Sequence, residues 1–297
     1  MSSSKNRFGL ASLAVAVIAF ALKYLAWRVS GSDALLSDAM ETVINIAAAI
    51  GALWALSFAD RPPDENHTYG HGKAEYLSAV MEGVLVILTA IGIADIAWRA
   101  WHDPHPLRAP WLGIAFNAAA GGVNLVWGLT LRRAGRRHRS PALSASGTHV
   151  LSDVWTTVAL VTGVALIPLT GWERLDSVLS ALVAFNVLRM GFGMTRQSIG
   201  GLMDEAPDAE TVELVRAVIA ETAEGAIEAH DLRFRRAADT SFIEFHLVVP
   251  GAMTVQDAHT ICDRVEHALR RQLGRALIHI HVEPEEKAKH SGVLVLP

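Results

Sequence analysis

Hydrophobic residues gather into long runs over roughly the first two thirds of the chain and alternate with polar ones over the last third. A helix needs about 20 mostly apolar residues to cross a hydrocarbon core about 30 Å thick. Windows of that kind run from Phe8 to Ala26, Ala34 to Ala59, Tyr76 to Trp98, Pro110 to Leu131, Ser144 to Thr170 and Ser177 to Thr195. The pattern predicts an all-α transmembrane domain of six helices. A charged start followed by an apolar run also fits a secretory signal, but no small-x-small cleavage site precedes Leu25 to Trp27 and further windows follow. A signal peptide is therefore not expected.

From about Asp208 the period changes. A polar helix with Val212, Val215 and Ile219 on one side leads to two segments, His230 to Arg235 and Phe242 to Val249, that alternate as strands do. A second helix, Val255 to Leu273, places Ala258, Ile261, Val265 and Leu269 on one face, and a last strand runs from Ala276 to Val282. That order predicts a small α+β domain with helices covering one face of a sheet. The expected division is a membrane domain over 1–204 and a cytoplasmic α+β domain with a C-terminal tail over 205–297.

Composition sharpens the picture. The chain is 51% hydrophobic before glycine is counted and 19% charged, against about 45 to 50% apolar with glycine included for soluble domains. A net charge of −4, without a basic face interleaved with aromatics, argues against nucleic acid as a partner. The single cysteine, Cys262, excludes an intramolecular disulfide and a cysteine-rich zinc module, and the soluble part is expected to face a reducing compartment. Lys5, Arg7, Arg61, Lys73, Arg132, Arg133, Arg136, Arg137 and Arg139 fall on one side of six spans, and Arg28, Arg99, Arg108 and Arg174 on the other. The positive-inside rule then places both termini in the cytoplasm. The basic run from Arg132 reads as an anchor at anionic lipid headgroups.

Ionisable residues inside membrane helices are expensive, about 2.5 to 3.5 kcal/mol on insertion scales, and are candidates for function. His149 and Asp153 in the fifth window are one helical turn apart, so both project from one face and can close on one small cation. The second window has a matching pair, Glu41 and Asn45, with Asp38 one turn earlier. Together they make a four-ligand set suited to zinc, with iron, cobalt, manganese and cadmium also compatible. A set of mutually satisfied hydrogen-bond partners is the bland alternative for any one of these residues and a poor one for the set. Ala47, Ala48, Ala49 and Gly51 are expected to let the second helix approach a neighbour closely. Glu82, Asp95, Asn117, Asn124 and Asp176 are read as groups paired with partners such as Lys23, ahead of a water-filled path.

The His149/Asp153 pair, the polar second window from Leu36 to Asn45, and the loop DENHTYGHGKAE from Asp64 to Glu75 together resemble the cation diffusion facilitator family, over about Phe8 to Glu283. The resemblance implies a homodimer of six-helix protomers in the bacterial inner membrane, with a ferredoxin-like, metallochaperone-like cytoplasmic domain. It implies export of zinc or a similar divalent ion in exchange for protons, and no enzymatic activity. The transport site would be Glu41, Asn45, His149 and Asp153, with Asp38 as a further candidate. A loop site would use Asp64, His67 and His71, and a cytoplasmic site His230, His246, His259, His281 and Glu283. Lys73 and Asp204 would form an ion pair joining the membrane and cytoplasmic parts.

The alternation is compatible with the cytoplasmic set. Ile243, Phe245, Leu247 and Val249 share one face, leaving Glu244 and His246 on the other, and Ile278, Ile280 and Val282 leave His279, His281 and Glu283 opposite. One departure bears on the cargo: well-studied bacterial members carry two aspartates where this chain has Glu41 and Asn45. Protonation of His149 competes with metal, which suits antiport by alternating access. The alternatives are a passive metal channel and a membrane metal sensor or scaffold. A membrane metallohydrolase is disfavoured because no His-Glu-x-x-His helix occurs.

Overall fold

The computed structural model describes residues 2–59, 61–137, 141–237, 239–289 and 292–295. The chain divides into two compact units, Met1–Trp54 with Ala79–Thr195 and Ala55–Ser78 with Arg196–Pro297.

Six long helices carry the apolar windows: α1 Ser2–Ser30, α2 Asp33–Ala59, α3 Ala74–His102, α4 Pro110–Arg137, α5 Pro141–Thr170 and α6 Arg174–Leu202. Each is longer than its window or matches one end of it, because an apolar run stops at the first polar stretch whereas the helical hydrogen-bond ladder need not. α4, for instance, continues through Arg132 and Arg133, and arginine is among the better helix formers. Pro141 opens α5, where its missing N–H leaves nothing unsatisfied. Among the described residues, five of these helices are long and apolar enough to cross a membrane, and the 27-residue α2 is the remaining long helix.

In the first unit, Ala26, Leu35, Ile93, Val164, Ile167 and Val187 belong to a buried cluster drawn from α1, α2, α3, α5 and α6. Trp54, Trp155, Phe185 and Phe192 are instead exposed, an amount of outward apolar surface that fits a hydrocarbon environment. Glycines set two close helix crossings. A Cβ on Gly83 of α3 would lie 3.1 Å from the carbonyl oxygen of Gly191 on α6, and one on Gly147 of α5 would lie 3.0 Å from that of Gly128 on α4. These backbones touch directly, as small residues allow in membrane bundles. In α2, the side chains of Ala48 and Ala49 lie outside the described residues.

The buried polar groups of this unit are paired across helices. Lys23 Nζ of α1 donates to Asp38 Oδ1 of α2 at 2.8 Å, with the two side chains only 3% and 2% exposed. Asp176 of α6 accepts from Ser32 Oγ and from the backbone N–H of Asp33, both at 2.6 Å. It thereby satisfies the otherwise unpaired start of α2. Asp95 pairs with Arg99 at 2.6 Å, one turn along α3. Lys23, expected to serve residues such as Asp176, is thus engaged by Asp38, and Asp176 has a capping role instead.

In the second unit, α7 Ala209–Thr222 is capped by Asp208, which accepts from the N–H of Thr211. β1 Glu228–Ala237 and β2 Thr240–Val249 follow, then α8 Val255–Leu273 and β3 Ala276–Pro284, a 3₁₀ turn at Glu285–Lys287 and the two-residue β4 Val293–Leu294. The Thr254 hydroxyl accepts from the N–H of Asp257 to start α8, and Gly274, at φ +79°, ends it in a conformation that favours glycine. The sheet order is β3-β2-β1-β4. β1 and β2 are antiparallel, whereas β2 and β3 are parallel and joined through α8. Ile243, Phe245, Leu247, Val249 and Ile278 pack with Val215 and Ile219 of α7 and with Ile261, Val265 and Leu269 of α8. One sheet face is therefore core, and His246 and Glu244 point to the other.

The Lys23–Asp38 pair generates a test of the bundle. Removing one partner of a buried ion pair strands the other charge and costs about 3–5 kcal/mol, whereas replacing both by apolar groups is often neutral. Lys23→Met is expected to lower the melting temperature of the detergent-solubilised protein sharply, and Lys23→Met with Asp38→Leu to recover most of it. A single variant as stable as the parent would remove the pair from the account of the bundle.

Candidate metal centres

Charged side chains converge inside the first unit. Glu41 follows Asp38 by three residues on α2, so the two share a helical face, and both are buried. Glu41 and Asn45 line a narrow crevice with Ile44, Val86, Thr89, Val187 and Met190. Asp153 is half-buried on α5, and Glu41 lies within electrostatic range of Asp38, Asp153 and Lys23. Lys23 likewise feels the fields of Asp38, Asp153 and Glu41. Residue 149 lies in α5 one turn before Asp153, while the side chain of His149 lies outside the described residues. Asp38 turns one oxygen to Lys23 and keeps the other, Oδ2, buried without a hydrogen bond.

The connection from α2 to α3 makes a second cluster from local sequence. Asp64 Oδ1 accepts from the N–H groups of Asn66 and His67 at 3.0 and 2.7 Å, a turn that aspartate side chains commonly form. The backbone bond from His67 is the main reason its carboxyl is held below the usual carboxylate range. The folded-back chain brings His67 Nδ1 to 3.2 Å from Oδ1 and His71 Nε2 to 3.3 Å from Oδ2. Asp64, His67 and His71 each offer a ligand atom, all within 4.8 Å of one another. The buried His71 ring packs edge-on against Phe58, and its Nδ1 has no hydrogen-bond partner. Just beyond, Lys73 Nζ meets Asp204 Oδ1 at 2.9 Å and the carbonyl oxygen of Leu202 at 3.2 Å. Arg235 also reaches Asp204, at 3.4 Å, while its guanidinium lies over the Phe242 ring.

A third cluster is made by strand register. His230 of β1 stands opposite His246 of β2, and His246 opposite His281 of β3, so three imidazoles line up across the sheet. Glu283 holds them together: its oxygens lie 3.2 Å from His230 Nε2, 3.3 Å from His246 Nδ1 and 3.7 Å from His281 Nε2. His230, His246 and Glu283 offer ligand atoms within 4.8 Å of one another. His259 stands apart on α8, three-quarters exposed beside Asp263 at 3.8 Å. Two participants escaped the reading of the sequence. Lys23 was noted without its partner, which only the relative phase of α1 and α2 fixes. Glu228 was overlooked, although its place two residues before His230 on a strand was a usable signal.

The donor sets fit divalent ions. Imidazole and carboxylate together suit zinc and neighbouring metals, and each of the second and third clusters contains a buried imidazole nitrogen without a hydrogen-bond partner.

Comparison with known proteins places these features in a family. The model of the cation efflux transmembrane domain matches residues 9–203, and that of the cytoplasmic domain of cation efflux proteins matches residues 207–285. An uncharacterized transporter of Synechocystis sp. is 39% identical over 282 residues, covering 95% of this chain and 91% of the relative. The cation-efflux pump FieF of Yersinia pestis is 32% identical over 280 residues, covering 93% and 91%. A solved structure of CzrB in its Zn form is 47% identical over 29% of this chain and 98% of its own, with a TM-score of 0.28. With a transmembrane model matching most of its length and a cytoplasmic model the remainder, the chain belongs to the cation efflux, or cation diffusion facilitator, family of integral membrane transporters.

Proposed function

We propose that this protein exports a divalent metal ion, zinc foremost among zinc, iron, cobalt, cadmium and manganese, in exchange for protons by alternating access. The observation that carries this reading is the gathering of Glu41, Asn45 and Asp153 with the α5 turn bearing His149, between helices that are otherwise apolar. Charge bookkeeping supports it. Lys23 offsets Asp38, which leaves the carboxylates of Glu41 and Asp153 to face a doubly charged cargo, with Asn45 as a neutral oxygen donor. Metal needs neutral imidazole and ionised carboxylate, so protons compete for the same atoms. A proton taken up by His149 or Asp153 from the outer side would release the ion there and return inward when the helices rock back. Strong ligands concentrated at one level favour such a carrier over a channel, which needs a series of weak sites.

Within this reading residues 1–204 form the membrane domain and 205–297 the cytoplasmic one, with both termini in the cytoplasm and the protein in the bacterial inner membrane, where Arg132 to Arg139 would meet anionic lipids. The protein works as a homodimer through its cytoplasmic domain. Asp64, His67 and His71 hold a metal in the loop, and His230, His246, His281 and Glu283 hold one in the cytoplasmic domain, with His259 available from α8. Zinc at these positions would be structural or regulatory, distinct from the cargo. Lys73 and Asp204 tie the loop to the start of the cytoplasmic domain.

Proteoliposome flux tests the proposal. Metal uptake is expected to be saturable and to rise when the pH gradient drives protons against the metal, and Asp153→Ala should reduce it to background. Flux indifferent to the gradient would sink antiport, and full efflux by Asp153→Ala would favour the sensor reading. Position 45 bears on selectivity. Asn45→Asp adds a third carboxylate to the proposed site, so the ratio of zinc to cadmium or manganese flux is expected to change, and an unaltered ratio would remove Asn45 from the ligand set.

A further inference from the structure

Glu228 sits two residues before His230 on β1 and is 1% exposed. A carboxylate so deep needs hydrogen-bond partners. Glu228 has two of them on one oxygen: Oε1 accepts from His230 Nδ1 at 3.0 Å and from the backbone N–H of Lys289 at 2.9 Å. The tail that supplies Lys289 is fastened around the same spot. β4 pairs with Glu228 and Ala229, and Lys289 Nζ reaches Asp231 Oδ2 at 2.6 Å. A Cβ on Gly292 would run into the backbone of Ala229 and the side chain of His230, so only glycine lets the tail lie this close to β1.

The consequence is for His230. With Nδ1–H given to Glu228, the ring presents the lone pair of Nε2, which is buried, makes no hydrogen bond and stands 3.2 Å from Glu283 Oε2. Metal-binding histidines almost always donate their other ring N–H to a carboxylate or carbonyl, which fixes tautomer and ring orientation. Glu228 itself is not among the residues whose ligand atoms converge, which are His230, His246 and Glu283.

We propose that Glu228 is a positioning residue for a cytoplasmic metal site: it holds His230 in the tautomer and orientation that aim Nε2 at the metal, and the tail from Lys289 to Leu294 holds Glu228 in place. This rests on the reading that His230, His246 and Glu283 bind metal, and the test separates the two.

The experiment uses the full chain in detergent with Co2+ as the probe, in an Asp153→Ala/His67→Ala background that leaves the cytoplasmic cluster untouched. His246→Ala is expected to remove the visible absorption band of the bound Co2+. Glu228→Leu is expected to weaken Co2+ binding about 10- to 100-fold and to shift the band, with the melting temperature of the metal-free protein close to that of the parent. Glu228→Gln keeps one acceptor for Nδ1–H but not the charge, so its affinity should fall in between, and it carries the test if the leucine variant fails to accumulate. Parental affinity and spectrum in the Glu228 variants, where His246→Ala abolishes the band, would overturn the positioning role and leave the metal site standing. A band that survives His246→Ala would overturn the site, and the positioning role with it.

Discussion

Charge shut inside an apolar bundle has to be neutralised within the bundle, and the Lys23–Asp38 contact shows how this chain does it. An ammonium and a carboxylate 2.8 Å apart, almost wholly buried, exclude each other from interacting with water and fix α1 against α2. Their neighbours inherit the result. Glu41 lies one turn from Asp38, and Asp153 is close enough for Lys23 to feel its field. A third uncompensated carboxylate here would add to a repulsion that the low dielectric magnifies. The lysine therefore permits an acidic α2 without making the crevice more negative than a divalent cargo can balance. The neutral amide of Asn45 acts in the same direction, since it keeps an oxygen donor while omitting a charge.

The second unit solves a different problem, the convergence of histidines from distant parts of the chain. The loop cluster is almost entirely local: Asp64 folds the backbone of Asn66 and His67 around its own carboxylate, and His71 arrives four residues later. The sheet cluster depends on register. His230, His246 and His281 meet because β1, β2 and β3 are held at one alignment by the apolar face beneath them. A slip of one residue would turn every histidine into the core. The helices α7 and α8 thus act on the cluster without touching it, by pinning Phe245, Leu247 and Ile278 from the opposite side.

Much of this was legible in the sequence, for reasons that vary by element. α8 was found at its true ends because its apolar stripe is bounded by Thr254 and Gly274, residues with strong capping preferences. The six membrane helices followed from length and apolarity, and their polar extensions were missed because nothing apolar marks them. β1 was read as starting at His230, since a glutamate and an alanine do not look like strand. Yet Glu228 pairs with both β2 and β4. The same discrepancy accounts for the overlooked carboxylate. An acidic side chain is ordinarily solvated, and what buries Glu228 is a tail returning about sixty residues later with only two strand residues of its own, too short to leave a periodic signature. Local patterns announce which residues carry the chemistry. What orients them comes from contacts that span the chain: Lys23 on Asp38 between helices, and Lys289 and Glu228 behind His230. Those contacts depend on helical phase and strand register between elements, which no single segment encodes.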